Sequence, residues 1–237
     1  MTPLRRTAVR QTDPEPCPYL PHRQASYEIF WADSVPPEAL GQWLSEGWRH
    51  FGTFFFRTAC PGCQACWSLR VAANQLTPSE SQRRLLKKNA ELEFRTVPTV
   101  YNPEYYELWA HHSQKRFQKS PTEVEFVDSF FSPVSPEASF LTEYRHQGRL
   151  AGLGFADVTP QGLNSIYFVF HEDFSKRSLG IYSVLRECQL AAEWGLTWYY
   201  LGFWVQGNAT MAYKGRFFPR QILSEGVWND LGELGPT

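Results

Sequence analysis

With 237 residues, 43% of them hydrophobic and 16% aromatic, the chain holds ample apolar material for a folded core, which excludes a disordered or low-complexity protein. A formal charge of −1 excludes a globally basic nucleic-acid binder, so any polyanion must meet a local patch. No apolar run approaches the ~20 residues of a membrane-crossing helix and the N-terminal residues carry no apolar signal core, so a cytoplasmic location without membrane contact is expected.

Residues 1–16 are polar with three prolines and read as a poorly ordered arm in which Arg5, Arg6 and Arg10 are more simply solvated than bound to phosphate. Gln24 to Trp31 suits a strand. Ser34 to Trp48 reads as a helix opened by Pro36 and Pro37, with Leu40, Trp43, Leu44 and Trp48 on one face. Gly52 to Arg57 suggests a buried strand leading to Cys60, Cys63 and Cys66. Those are two overlapping CxxC steps, and Pro61 and Gly62 permit the tight turn between them. With Cys17 they supply the four sulfurs that a structural zinc site or an iron-sulfur cluster needs; small thiols packed in a turn are the plainer alternative. No organic cofactor is indicated.

Trp67 to Val71 resumes strand character. Thr77-Pro78-Ser79-Glu80 fits a capping box, so a helix is expected from Pro78 to Asn89. Arg83, Arg84, Lys87 and Lys88 share its broad face against Glu80 alone, a net +3 that makes them the best candidate phosphate contacts of a neutral chain. A solvated charged face is the usual meaning of such a run. Leu92 to Val100 alternates as a strand, and the pattern places a boundary there between residues 1–100 and 101–237. Asn102-Pro103 opens a helix to about Phe117 carrying His111, His112, Lys115 and Arg116. Thr122 and Glu125 form a second capping box.

Ser139 to Arg145, Leu150 to Val158 and Leu163 to Phe170 read as consecutive strands, the last two joined by a Thr159-Pro160-Gln161-Gly162 turn. Leu179 to Trp194 has helical spacing, and Thr197 to Val205 is β-branched and aromatic. The returning strand must therefore lie parallel to its neighbour. Cys188 reads as core.

The strings NSIYFVF, SLGIYSVLRE, YYLGFWV and MAYKGRF, with CPYLP, GWRHFGTFFFRTACPGCQACWSLRV and SQRRLLKKN upstream, resemble the arginyl-tRNA-protein and bacterial leucyl-tRNA-protein transferases over roughly residues 15–225. The resemblance implies an α/β (α+β), two-lobed, GNAT-like acyltransferase fold with an N-terminal cysteine-containing lobe. It also implies an aminoacyltransferase that moves leucine or arginine from charged tRNA to the α-amine of proteins beginning with Asp or Glu, marking them for degradation in an N-degron pathway. The eukaryotic arginyl enzymes carry a CxxC pair where this chain has Cys17 and Leu20, so their cluster chemistry is not carried across. Many relatives have a lysine where this chain has Thr210. Two alternatives remain: a cysteine-knuckle tRNA-binding protein with a degenerate transferase core, and a GNAT N-acetyltransferase. Against the latter, the Arg177-Ser-Leu-Gly180-Ile-Tyr182 loop puts a bulky tyrosine where close approach to pyrophosphate requires a small residue.

Peptide-bond formation from an activated ester needs orientation, a proton route and oxyanion stabilisation. Asp157 is the expected proton acceptor or amine-orienting carboxylate, with turn capping as its plainer role. Tyr167, Tyr182 and Tyr213 are candidate donors, although buried tyrosine in an aromatic core is the commoner meaning. Lys214 and Arg216, beside Gly215, suit phosphate or a substrate carboxylate, and Arg177 joins them as a tRNA-contact candidate.

Overall fold

The computed structural model describes residues 4–205 and 207–232. Four short strands, β1 (Arg5–Arg6), β2 (Arg10–Gln11), β3 (Glu15–Pro16) and β4 (Gln24–Ala25), precede β5 (Tyr27–Asp33), α1 (Pro37–Ser45), β6 (Arg49–Phe51) and β7 (Phe54–Thr58). Next come β8 (Cys66–Ala72), α2 (Glu80–Lys88), β9 (Glu93–Pro98), α3 (Pro103–Phe117) and α4 (Glu123–Phe126). The chain ends with β10 (Ser139–His146), β11 (Arg149–Thr159), β12 (Gly162–Phe170), α5 (Leu179–Glu193), β13 (Trp198–Val205), β14 (Arg220–Ser224) and β15 (Val227–Asp230).

Helices α2, α3 and α4 each start where a side chain satisfies a free amide. Asn102 accepts from the Glu104 amide at 3.0 Å ahead of Pro103, and Thr122 and Glu125 form the expected reciprocal cap of α4. The cap of α2 lies two residues later than the sequence pattern suggests. Ser79 Oγ accepts from the Gln82 amide at 3.3 Å, and the Gln82 side chain returns to the Ser79 amide at 2.8 Å. Gln82 is buried and long enough to reach back, so it takes the place expected for Glu80.

Two sheets dominate this mixed α/β architecture. The larger has eight strands in the order β15-β14-β8-β13-β12-β11-β10-β9, and the smaller has the path β1-β5-β7-β6 with β2 also on β5. Residue 100 falls between β9 and α3, yet β8 lies inside the large sheet between β13 and β14, so both halves of the chain build it. As the crossover requires, β12 and β13 are parallel, and α5 connects them. Helix α5 buries Val184, Leu185, Cys188 and Ala191 on the sheet, while Tyr105, Leu108 and Trp109 of α3 pack with Phe126, Phe130 and Phe155. In the small sheet Phe30 and Phe55 are fully buried and stack at 4.8 Å beneath Trp43 of α1. Among the described residues no helix is long and apolar enough to cross a membrane.

Candidate active site

The parallel pair is short. Gly162, Leu163 and Asn164 face Trp198, Tyr199 and Tyr200; beyond that point β12 and β13 separate, and a register shift against β8 falls between Tyr200 and Gly202. The opening between the two strands is a cleft of about 730 Å³, closed on its sides by the first turn of α5, by β6, by His112 and Arg116 of α3, and by residues 209–214.

Gly202 sits at φ +79°, which favours glycine, and an added Cβ would also crowd Arg49 Nη2 at 3.2 Å. The carbonyls of Leu201 and Phe203, on alternate residues of β13, face the same side. Lys214 Nζ donates to Leu201 O at 2.9 Å and to Phe203 O at 3.0 Å. The residue keeps some accessible surface, but its amine is enclosed, and burial together with the neighbouring Arg49 charge brings Lys214 down to about 7. Arg49 is itself buried and donates to Ser165 O at 2.6 Å. Burial lowers its guanidinium to about 10 against the opposing pull of Asp157, so it stays charged at neutral pH.

His50 follows Arg49 on β6 and also lines the cleft. Its Nε2 lies 2.8 Å from Asp157 Oδ2 and its Nδ1 lies 3.1 Å from Gly52 O. The ring is thus fixed at both nitrogens, against the Asp157 carboxylate on one side and the Gly52 carbonyl on the other. Asp157 also accepts from Ser139 Oγ at 2.9 Å and Asn164 Nδ2 at 3.0 Å. Burial alone would raise its pKa, but His50, Asn164 and Ser139 more than offset this and hold it below the usual aspartate range.

The structure brings some of the sequence candidates together and separates others. Lys214, Tyr167 and Tyr213 line the cleft, and burial raises both tyrosines, which keeps their protons in place. Asp157 is fully buried behind His50 and is not among the lining residues, so it reaches the cleft only through that histidine. Tyr182 turns the other way, into the core beside Tyr144, and donates to Asn89 O at 3.2 Å. It therefore leaves the start of α5 open, contrary to the obstruction expected from its bulk; an added Cβ on Gly180 meets nothing within 4 Å. Arg177 pairs with Glu91 and reaches Lys88 O at 3.4 Å. Arg83, Arg84, Lys87, Lys88 and Arg216 are exposed, and Gln82 donates to Arg216 O at 2.9 Å, which sets the charged helix beside the Lys214–Arg216 turn.

The four thiols of Cys17, Cys60, Cys63 and Cys66 are free and half-buried. Cys17 Sγ accepts from the Leu20 amide at 3.4 Å, and Cys60 Sγ from the Ser26 amide at 3.5 Å. Burial and the other three cysteines push Cys66 up to about 12, so its thiol is protonated. Among the described residues no group of three or more His, Cys, Asp or Glu side chains could hold a metal ion. As arranged here the four thiols do not converge as a closed ligand set for zinc or a cluster.

Arg49 and His50 are functional candidates that sequence reasoning passed over. Their signal lies in GWRHFG, where two adjacent basic residues interrupt an aromatic run that must be buried.

A desolvated amine, a fixed guanidinium and a helix start around one apolar cleft form a constellation suited to acyl transfer. The chain belongs to the arginine-tRNA-protein transferase family: residues 15–84 match the family's N-terminal model and residues 104–224 its C-terminal model. It is similar to the aspartate/glutamate leucyltransferase of Marinobacter nauticus, 33% identical over 237 residues, covering 98% of this chain and 99% of that one. The corresponding protein of Stutzerimonas stutzeri is 35% identical over 233 residues, covering 96% and 98%. Among solved structures, the C-terminal domain of a putative lysylphosphatidylglycerol synthetase from Agrobacterium fabrum matches with a TM-score of 0.43 and 16% identity, covering 60% of this chain and 47% of that one. Membership makes the protein an aminoacyl-tRNA-protein transferase, with an aminoacyl-tRNA as donor and a protein as acceptor.

Proposed function

We propose that the enzyme transfers leucine, rather than arginine, to the α-amine of proteins that begin with Asp or Glu, and that the cleft between β12 and β13 is where the ester reacts. The observation that carries this reading is the charge of the lining. Arg49, Arg116 and Lys214 stand among aromatic and aliphatic side chains, and no Asp or Glu is among the described lining residues. An arginyl side chain there would bury its guanidinium against like charge without a carboxylate to pair it, whereas a leucyl side chain asks only for apolar contact. The guanidinium groups of Arg49 and Arg116 suit the acidic side chain of the acceptor's first residue. The relatives named aspartate/glutamate leucyltransferase support the same assignment.

The reaction forms a C–N bond between the acceptor amine and the ester carbonyl carbon, breaks the C–O bond to the terminal ribose, and returns a proton to the ribose hydroxyl. Lys214, with a pKa near neutrality, uses its two remaining N–H groups on Leu201 O and Phe203 O when uncharged, leaving its lone pair to take the proton from the attacking amine. Arg49 supplies fixed positive charge for the tetrahedral oxyanion, and the phenols of Tyr167 and Tyr213 supply further donors. The start of α5 has no side-chain cap, and Leu179 and Gly180 line the cleft, so its amides suit a phosphate or ribose of the terminal nucleotide. A parallel pair that splays beside a crossover helix is also the basis for reading the core as GNAT-like. The four cations of α2 and Arg216 are proposed to steer the acceptor stem.

A side-by-side assay with leucyl- and arginyl-tRNA tests the assignment, using peptides that begin with Asp, Glu or Lys. Leucine is expected on the two acidic peptides and not on the third. Arginine transfer at an equal or greater rate would overturn it.

A further inference from the structure

The small sheet has two faces. Phe30, Ala32 and Phe55 point inward and are buried against α1. The register places a different set on the outer face. Trp31 pairs with Phe54, Ile29 with Phe56, and Arg49 and Phe51 of β6 stand opposite Phe56 and Phe54. On the free side of β5, Arg5 stands opposite Asp33 and Arg10 opposite Ile29, so both arginines belong to this same face. These rings touch in sequence. Trp31 meets Phe54 at 5.3 Å, Phe54 stacks with Phe56 at 5.7 Å, and Phe56 meets Phe51 at 5.7 Å and Phe203 of the cleft at 6.1 Å. Trp31 is 43% exposed, and beside it Arg5, Asp33 and Thr53 help line a hollow of about 370 Å³. Phe51, Phe56 and Arg49 line the cleft itself. The strip thus runs from solvent to the reacting centre, with arginines at both ends and Asp33 the carboxylate on it.

We propose that this outer face carries the unpaired 3′ end of the aminoacyl-tRNA, its bases stacked on Trp31, Phe54 and Phe56 and its phosphates at Arg5 and Arg10, so that the terminal ester enters the cleft past Phe51. Flat rings flanked by guanidinium groups are the chemistry that single-stranded RNA selects, because every base has a stacking face and every linkage a negative charge. The acceptor is the poorer occupant: its α-ammonium would travel along a cationic strip. Continuity with the cleft adds a geometric reason, since the ester is attached to the last nucleotide of that strand. The inference rests on the aminoacyl-tRNA donor and not on the identity of the amino acid.

The test compares two uncharged RNA hairpins that copy an acceptor stem, one with the unpaired 3′ end and one blunt, binding to the full chain. Trp31→Ala is expected to weaken the overhang hairpin by roughly ten-fold, as loss of one base stack does, and to leave the blunt hairpin unchanged. Trp31→Phe should recover most of the loss. Arg5→Gln with Arg10→Gln should lower the salt slope for the overhang hairpin by roughly 0.7 for each phosphate the protein no longer neutralises. Melting temperature serves as the folding control, and exposure of Trp31 predicts little change. An equal loss for both hairpins, no loss for either, or a raised KM for the acceptor peptide with RNA affinity intact would each overturn the proposal. Arginine in place of leucine in the transfer assay would leave this binding difference standing, so the two readings fail separately.

Discussion

Two groups of basic side chains differ in almost every respect. Arg49, His50 and Lys214 are drawn into the cleft, and each is held by a named acceptor: Ser165 O, Asp157, or the carbonyls of Leu201 and Phe203. Arg83, Arg84, Lys87 and Lys88 lie on the open side of α2, where the Arg84–Glu80 pair has side chains 71% and 74% exposed. Desolvation makes position decisive in the first group: it shifts Lys214 to about 7 and makes the loss of one counterion expensive. In the second group water and salt screen each charge, and only the summed field matters to a distant partner.

The largest effect is expected at the junction that holds the buried group in register. Asp157→Ala removes the carboxylate from His50 and leaves Ser139 and Asn164 facing a void, so stability should fall by about 3–5 kcal/mol in urea denaturation. The sign of the pH dependence follows from the depressed carboxyl. Its contribution is complete above the usual aspartate range and is lost as pH falls through the lower folded value, so the wild type should lose stability there more steeply than the variant. Parallel acid profiles of the two proteins would dissociate Asp157 from the cleft's stability.

Lys214→Met comes next and separates charge from proton transfer. If the uncharged amine accepts the proton, turnover should fall by about 100-fold or more, and the rise of wild-type activity with pH through about 7 should disappear. Stability carries a second signature of the same amine. Between about 7 and the ordinary 10.5 the unfolded chain holds a proton that the native amine has released, so wild-type stability climbs with pH in that window, and the methionine variant lacks the climb. A variant that keeps the pH limb would assign it to the acceptor amine instead.

The same contrast explains what could be read before the structure. Periodicity and β-branching located β11, β12, α5 and β13, because each buries a continuous face on one large core. The run on α2 was legible because exposed charge is local, carried by neighbours one helical turn apart. Arg49 and His50 were not, since their roles are fixed by Ser165 and Asp157 more than a hundred residues away, separations that the hydrogen-bond geometry records and no local pattern encodes. The β14–β15 hairpin was missed for a related reason: its strands are short and complete an edge of a sheet whose neighbour, β8, comes from far upstream. Tyr182 shows the reverse error. The loop motif fixed its position in the chain, but Asn89 O on the end of α2 decides where its hydroxyl points.

The smallest change in stability, and the sharpest test of the contrast, belongs to the exposed group. Lys88 is tied to Lys176 O at 2.6 Å and Arg83 to Pro78 O at 2.6 Å, so replacing either would disturb the fold's own hydrogen bonds as well as any phosphate. Arg84 and Lys87 are better probes: the former is held only by an exposed ion pair worth a few tenths of a kcal/mol, about 0.3–0.5 for such helical spacing. Arg84→Gln with Lys87→Gln should therefore leave the melting temperature nearly unchanged. Affinity for tRNA should drop several-fold at low salt, and the slope of log K against log salt should shallow by roughly 0.9 for each duplex phosphate that is no longer neutralised. Turnover at saturating tRNA should be preserved, because neither side chain reaches the cleft. Unchanged slopes across the titration would show the α2 face to be solvated only, and steering would then have to come from Arg216 and the arginines beside the small sheet.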